Sequence, residues 1–291
     1  MAHDEKSTKK GNDDGSILKI IYNLLRNRFG KMNWWPAESD FEVMIGAILT
    51  QNTAWTNVEK AIYNLKSRNL LSFEAMDAIE LDLLKEYIRP SGYYNQKALK
   101  IKEFINFAKK GYNFSIELMK KENTAVMREK LLNISGIGEE TADSIMLYAL
   151  KKPVFVIDAY TRRLLERHHI IEGSLKEKYK NLQKYFTDNI DNINNTDNTD
   201  NIDNINKIDS IAHTDNIDNI FNDYNGSKIN NKINNKINNN IDNNINNKIN
   251  GEAIAEIYNE YHALIVMTGK MFCRKNPMCT GCPLEELNHL I

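Results

Sequence analysis

Leu131-Leu-Asn-Ile-Ser-Gly-Ile-Gly-Glu-Glu-Thr-Ala-Asp143 is the stretch that decides the fold. Met127 to Leu132 reads as the end of one helix, ISGIG as a short hairpin, and Glu139 onward as the start of a second helix running to about Leu150. Gly136 and Gly138 let the backbone approach a ligand closely, and the N–H groups at the new helix N-terminus face an anion. The parts together make a phosphate cradle, which positions a polyanionic backbone without reading its sequence. Two glycines two apart also serve ordinary helix connections. The apolar frame of Ile134, Ile137, Ala142 and Ile145 sets this hairpin apart from those.

Twenty residues beyond Gly138 an apolar run, Val154-Phe-Val-Ile, ends on Asp158. Desolvation and a helix-end dipole act on a carboxylate there. Taken alone, Asp158 reads as the N-cap of the helix that follows, and one residue can serve as both cap and reactive carboxylate. Toward the N-terminus, helical spacing of apolar residues predicts helices over 17–29, 41–49, 58–65, 75–88 and 95–109. Gly30 stops the first, and Ser39 or Asp40 caps the second. Helical character returns over 253–272. No stretch alternates with period two, so the fold class is all-α.

Of 291 residues, about 188 to 250 form an Asn/Asp/Ile-rich tract that cannot pack a core. It reads as a low-complexity insertion in a loop, with spaced isoleucines that permit transient β association. The net charge of −1 conceals an asymmetry. The ten Asp and five Lys of the tract contribute −5, leaving +4 elsewhere, which permits a nucleic-acid partner without requiring one. The polar opening of residues 1–16 is expected to be disordered and carries no signal peptide. No run is long and apolar enough to span a bilayer. With three cysteines confined to 273–282, the expectation is a soluble protein of a reducing, intracellular compartment.

LLNISGIGEETADSIMLYALKKPVFVIDAYTRRL resembles the hairpin-to-aspartate segment of the endonuclease III superfamily of DNA glycosylases. FEVMIGAILTQNTAWTNVEKAI and Gly92-Tyr-Tyr-Asn-Gln-Lys-Ala98 resemble it too, in the same order. The resemblance covers about residues 17–187 and 251–282. It implies a two-domain helix-hairpin-helix enzyme with DNA in the cleft between the domains: a six-helix unit over 33–152, and a second unit built from 17–32, 153–187 and 251–291. It implies a monomer acting on double-stranded DNA with damaged bases, with Gly136, Gly138 and Thr141 at the phosphates. The family's aspartate at the position of Asp158 stabilises the oxocarbenium-like sugar and orients a nucleophile.

Lyase members carry a lysine after the hairpin that forms a Schiff base with the sugar. The family's spacing places Glu140 there, so the resemblance implies hydrolysis by water without lyase chemistry. Within the superfamily the similarity runs to the 3-methyladenine DNA glycosylase branch, through Trp34-Trp35-Pro36, Thr50-Gln-Asn-Thr-Ala-Trp55, Arg89-Pro-Ser-Gly92 and Gly269-Lys270. That branch places Trp34, Trp35, Trp55, Glu140 and Lys270 in the base pocket, where electron-rich indoles favour a cationic alkylated purine. Gln51 and Asn52 lie where relatives fill the gap left by a flipped nucleotide. Each has a plainer reading: core anchors for the tryptophans, a dipole-matched first-turn Glu140, a solvated Lys270, and helix caps for Gln51 and Asn52.

Cys273-Arg-Lys-Asn-Pro-Met-Cys279-Thr-Gly-Cys282-Pro resembles the family's iron–sulfur loop. The family's fourth cysteine falls on Asn288. The resemblance favours an iron–sulfur cluster, either [4Fe–4S] with His289 as fourth ligand, or a three-iron or externally ligated one. A Cys3His zinc site is the competing chemistry, and a vestigial loop the third option. Two other functions compete with hydrolysis of alkylated purines: a glycosylase/lyase for oxidised pyrimidines using a lysine such as Lys270, and a damage-binding module without catalysis.

Overall fold

The computed structural model describes residues 11–32, 34–190 and 239–287, and among them there is no β-strand. Helix α1 (Gly11–Phe29) stops at Gly30, whose φ of 69° suits glycine. Helix α2 (Asp40–Leu49) starts at Ser39, whose Oγ accepts from Glu42 N at 3.1 Å. Every residue from Phe41 to Leu49 is buried, all of them apolar or small except Glu42, and this helix forms the centre of the N-terminal part. Packed on it are α3 (Trp55–Lys66), α6 (Tyr94–Tyr112) and α9 (Glu139–Ser144).

The single helix expected over 75–88 is two: α4 (Phe73–Ala78), capped by Ser72, and α5 (Leu81–Tyr87). Ile79 and Glu80 are extended between them, and Lys102 Nζ donates to the carbonyls of Met76, Asp77 and Ile79. A lysine that satisfies a helix's last carbonyls removes the need to continue it. Helix α7 (Ile116–Lys121) spans six residues, too few to show a helical period. Helix α8 (Thr124–Leu132) leads into the hairpin and α9. The helix expected from Glu139 to Leu150 changes pitch after Ser144. Ile145–Ala149 form a π turn in which Leu150 N donates to Ile145 O at 3.1 Å.

Residues 154–157 are buried and belong to no helix or strand. Side chains meet two of their backbone groups: Ile157 N donates to Tyr179 Oη at 3.1 Å, and Gln183 Nε2 donates to Phe155 O at 2.8 Å. Then come α10 (Ala159–Arg167) and α11 (Tyr179–Ile190). Helix α12 (Asn239–Met271) begins inside the Asn-rich tract, with residues 239–250 helical. Extending an existing helix costs far less than nucleating one, so the packed segment beyond Gly251 carries the helix back into polar sequence. The remainder of the tract, 191–238, the start of the chain and His289 lie outside the described residues.

Helix α1 packs on α11 and α12, and α10 on α12. The buried core nevertheless runs continuously from Leu18 to Leu287. No helix among the described residues is long and apolar enough to cross a membrane.

Candidate active site

The hairpin is closed by Ile137 N donating to Ile134 O at 3.0 Å, with Gly136 at φ 82°. Gly138 occupies the N-cap of α9 and offers no side-chain acceptor, which leaves first-turn N–H groups available to an anion. Gly136 and Gly138 are exposed while Thr141 is buried. Asp143, one helical turn on from Glu139, is fully buried and fixes the frame. Arg128 donates to it twice, Nε to Oδ1 at 2.7 Å and Nη2 to Oδ2 at 3.0 Å, and Gln183 Nε2 donates at 2.8 Å. These bonds tie α8, α9 and α11 together.

Gln51 joins the loop after α2 to this hairpin. Its Nε2 donates to Thr141 Oγ1 at 2.9 Å and Gly136 O at 3.2 Å, and its Oε1 accepts from Lys100. Asn52 is exposed with φ 52°, beside a depression also lined by Tyr93, Gln96, Lys97 and Lys100. Gln51 is thus engaged with the hairpin, and Asn52 is the freer of the two.

The three tryptophans meet. Trp35 and Trp55 stand 5.3 Å apart edge to face, and Trp34 lies 6.4 Å from each; the Trp34–Trp35 peptide is cis. All three are partly exposed, and their rings pack against one another. The C-terminal end of α12 brings Lys270 there, its Nζ 4.9 Å from the centre of Trp34 and 5.8 Å from that of Trp55. Burial lowers the lysine's pKa, against the opposing charges of Glu59 and Asp158. Gly269 makes the approach possible, since a Cβ on it would lie 2.1 Å from Tyr160 Cδ1 on α10.

Asp158 caps α10, its Oδ1 accepting from Thr161 N at 2.7 Å. Its Oδ2 faces His262 Nε2 of α12 at 3.7 Å, an ion-pair separation longer than a hydrogen bond. Burial disfavours the Asp158 anion, but the His262 charge and the Thr161 N–H outweigh it and hold the carboxyl below its usual range. Glu140 goes the other way. Desolvation, then the charge of Asp158, pushes it up to about 7. Its side is nonetheless open to water, which limits the desolvation, so the Asp158 charge is the more secure cause. The pKa values of these two carboxyls are thus driven apart, Asp158 down and Glu140 up.

At the C-terminal loop Cys273 is buried, Cys282 half-buried and Cys279 exposed. Arg167 Nη1 donates to Cys273 Sγ at 3.2 Å and to Arg274 O at 2.6 Å, and Arg163 Nε donates to Cys273 O at 3.0 Å. Among the described residues no three His, Cys, Asp or Glu side chains group to hold a metal ion. Among the described residues the loop supplies three cysteines and no fourth ligand; arginines of α10 hold it, and Arg167 donates to the Cys273 thiol.

Three polar side chains at the site carried no signal in the sequence reading. Tyr148 and His262 are buried behind Asp158 and Trp35. Lys97, 1% exposed, donates to Leu49 O, Thr53 Oγ1 and Ser91 O at 2.6–2.8 Å, which fixes the loop carrying Gln51 and Asn52. Burial lowers its pKa to about 8. Lys97 lies in the quoted Gly92–Ala98 motif, so the motif marked the place without the role.

Residues 45–190 match the HhH-GPD superfamily of base excision DNA repair proteins. The protein MJ1434 of Methanocaldococcus jannaschii, provisionally named a DNA repair glycosylase, is 37% identical over 93% of this chain and 94% of its own length. Endonuclease III of Thermotoga maritima is 30% identical over 44% of this chain, spanning 55% of that enzyme. Among solved structures, the H. pylori 3-methyladenine DNA glycosylase MagIII bound to 1,N6-ethenoadenine superposes with a TM-score of 0.59 at 29% identity, covering 88% of this chain and 97% of that one. An endonuclease III–DNA covalent intermediate superposes at 0.61 with 15% identity, a likeness of fold. Hairpin, capped aspartate and these relatives agree: the chain belongs to the HhH-GPD superfamily of base excision DNA repair glycosylases.

Proposed function

We propose that this protein hydrolyses the N-glycosidic bond of alkylated purines in duplex DNA, 3-methyladenine foremost, without lyase chemistry. One observation carries the reading. The three indoles converge with the Lys270 ammonium over two of their faces, and Asp158 is close enough to that ammonium to perturb it. A cation already sits over the indoles, and an alkylated, cationic base that replaced it would meet the same electron-rich surface. The MagIII likeness supports the same class of substrate.

In this reading the DNA lies between two helical units, 33–152 on one side and 17–32, 153–187 and 251–291 on the other. The hairpin N–H groups at Gly136, Gly138 and Thr141 hold phosphates, and Asn52 enters the gap left by the flipped nucleotide. Asp158 stays anionic and stabilises the positive charge that develops on the sugar as the bond to the base breaks. Glu140, protonated part of the time near neutrality, donates a hydrogen bond to the departing purine. Water completes the hydrolysis. Glu140 occupies the position that would need an amine for a Schiff base. The cysteine loop is structural, and no step passes through it.

Excision assays on duplexes carrying a single defined lesion test the proposal. Release of alkylated purines with no action on oxidised pyrimidines supports it, and the reverse preference overturns it. Lys270 keeps a second reading open, because burial lowers the pKa of an amine beside the pocket. Borohydride trapping of a DNA adduct in the wild type, lost in Lys270→Ala, would establish that enzyme instead.

A further inference from the structure

The aspartate is backed by a buried chain of two groups for which the proposed chemistry has so far given no role. His262 is 5% exposed and its Nε2 has no hydrogen-bond partner, which is costly in a packed interior. That nitrogen points at Asp158 Oδ2, 3.7 Å away. The other ring nitrogen, Nδ1, makes a short hydrogen bond with Tyr148 Oη. Burial, then the charge of Asp158, raises the Tyr148 hydroxyl well above its usual range, so it remains a hydroxyl.

In the neutral imidazole the facing Asp158 anion favours the tautomer with its proton on Nε2, because a lone pair there would be repelled, and Nδ1 then accepts from the Tyr148 hydroxyl. If it is an imidazolium, both nitrogens carry protons and Nδ1 donates to the tyrosine oxygen. Nε2–H therefore faces the carboxylate in both states. We propose that His262, clamped by Tyr148, is a positioning residue that keeps the Asp158 carboxylate ionised and aimed at the sugar. The 3.7 Å gap tightens to a hydrogen bond when DNA fills the cleft, as such contacts do between free and bound enzymes. The other charged groups near the carboxylate are Glu140 of α9, Arg162 of α10 and Lys270 of α12, with Thr161 N–H at the cap.

The inference rests on the reading of Asp158 as the reactive carboxylate. Single-turnover excision from damaged duplex by the full chain tests both, using wild type, Asp158→Asn, His262→Phe, His262→Gln and Tyr148→Phe. His262→Phe keeps a ring in the site and removes the donor. The rate is expected to fall roughly 10- to 100-fold, the worth of a hydrogen bond to a charged group, with DNA affinity unchanged. The acid limb of its pH–rate profile moves to higher pH, because Asp158 loses the partner that offsets its burial. Gln places an amide nitrogen near the Nε2 position, so His262→Gln retains more rate than His262→Phe. A purely space-filling role gives the opposite order. Tyr148→Phe lets the neutral ring place its proton on either nitrogen. Its rate is therefore expected to fall too, by less than that of His262→Phe. If Asp158→Asn stays fully active, the reading of the site fails. If Asp158→Asn is inactive while His262→Phe matches the wild type in rate and pH profile, the inference alone fails.

Discussion

Replacing Arg128 by Met should destabilise the protein by about 3–5 kcal/mol, because it strands the fully buried carboxylate of Asp143. Asp143 accepts three hydrogen bonds, two from the Arg128 guanidinium and one from Gln183. Removing the arginine takes away the guanidinium countercharge and leaves neutral partners, the Gln183 amide and the Tyr179 hydroxyl. For a folded part of this size, each kcal/mol lowers Tm by about 2–4 °C, so the expected loss is about 6–20 °C. Arg128→Lys supplies charge without the planar fork and should fall between the two. The decisive comparison is the double variant Arg128→Met with Asp143→Leu. Deleting both charges removes the uncompensated anion and should recover most of the loss. Thermal melts of the three variants, with binding to undamaged duplex measured alongside, complete the test. The bonds hold the hairpin between α8 and α9, so Arg128→Met should also weaken phosphate binding. A Tm within about 2 °C of wild type, or a double variant no better than the single one, would refute the reasoning.

Three further outcomes are expected. Gly269→Ala drives a methyl into the Tyr160 ring, at 2.1 Å from Cδ1, and shifts the end of α12; stability should fall by about 1–3 kcal/mol and base excision by more than stability explains, read by melting and single-turnover rates. Glu140 titrates at about 7 in the folded chain against an ordinary 4.5, so its favourable contribution is complete below about 4.5 and is lost as pH rises through about 7. Glu140→Gln should therefore gain in Tm relative to wild type between about pH 5 and about pH 8; a pH-independent difference would remove the raised pKa from the account. Elemental analysis of the purified chain should find no stoichiometric iron or zinc, while Arg167→Ala should make Cys273 react faster with a thiol reagent; four irons per chain would overturn the arginine-held view of the loop.

The hairpin and the helical fold were legible because each left a local mark, paired glycines in an apolar frame and helical spacing, whereas the grouping of Trp34, Trp35, Trp55 and Lys270 came from the family resemblance alone. The capped Asp158 was legible as well, since an apolar run ending in Asp before a helix has few other readings. What escaped depends on tertiary contact. The break between α4 and α5 is set by Lys102 reaching across from another helix. Lys97 reads as a surface lysine until three buried acceptors surround it. His262 sits in an ordinary helical pattern more than a hundred residues from Asp158, and only packing joins them. The arginines of α10 that hold the cysteine loop are likewise invisible in the cysteine spacing.

Base release from methylated duplex DNA tests the central claim most directly, with the products separated by chromatography and the strands checked for scission. The account predicts free 3-methyladenine and intact strands from the wild type, and no released base from Asp158→Asn. Methylated DNA left untouched, or release accompanied by strand cleavage and a borohydride-trapped adduct, would contradict it.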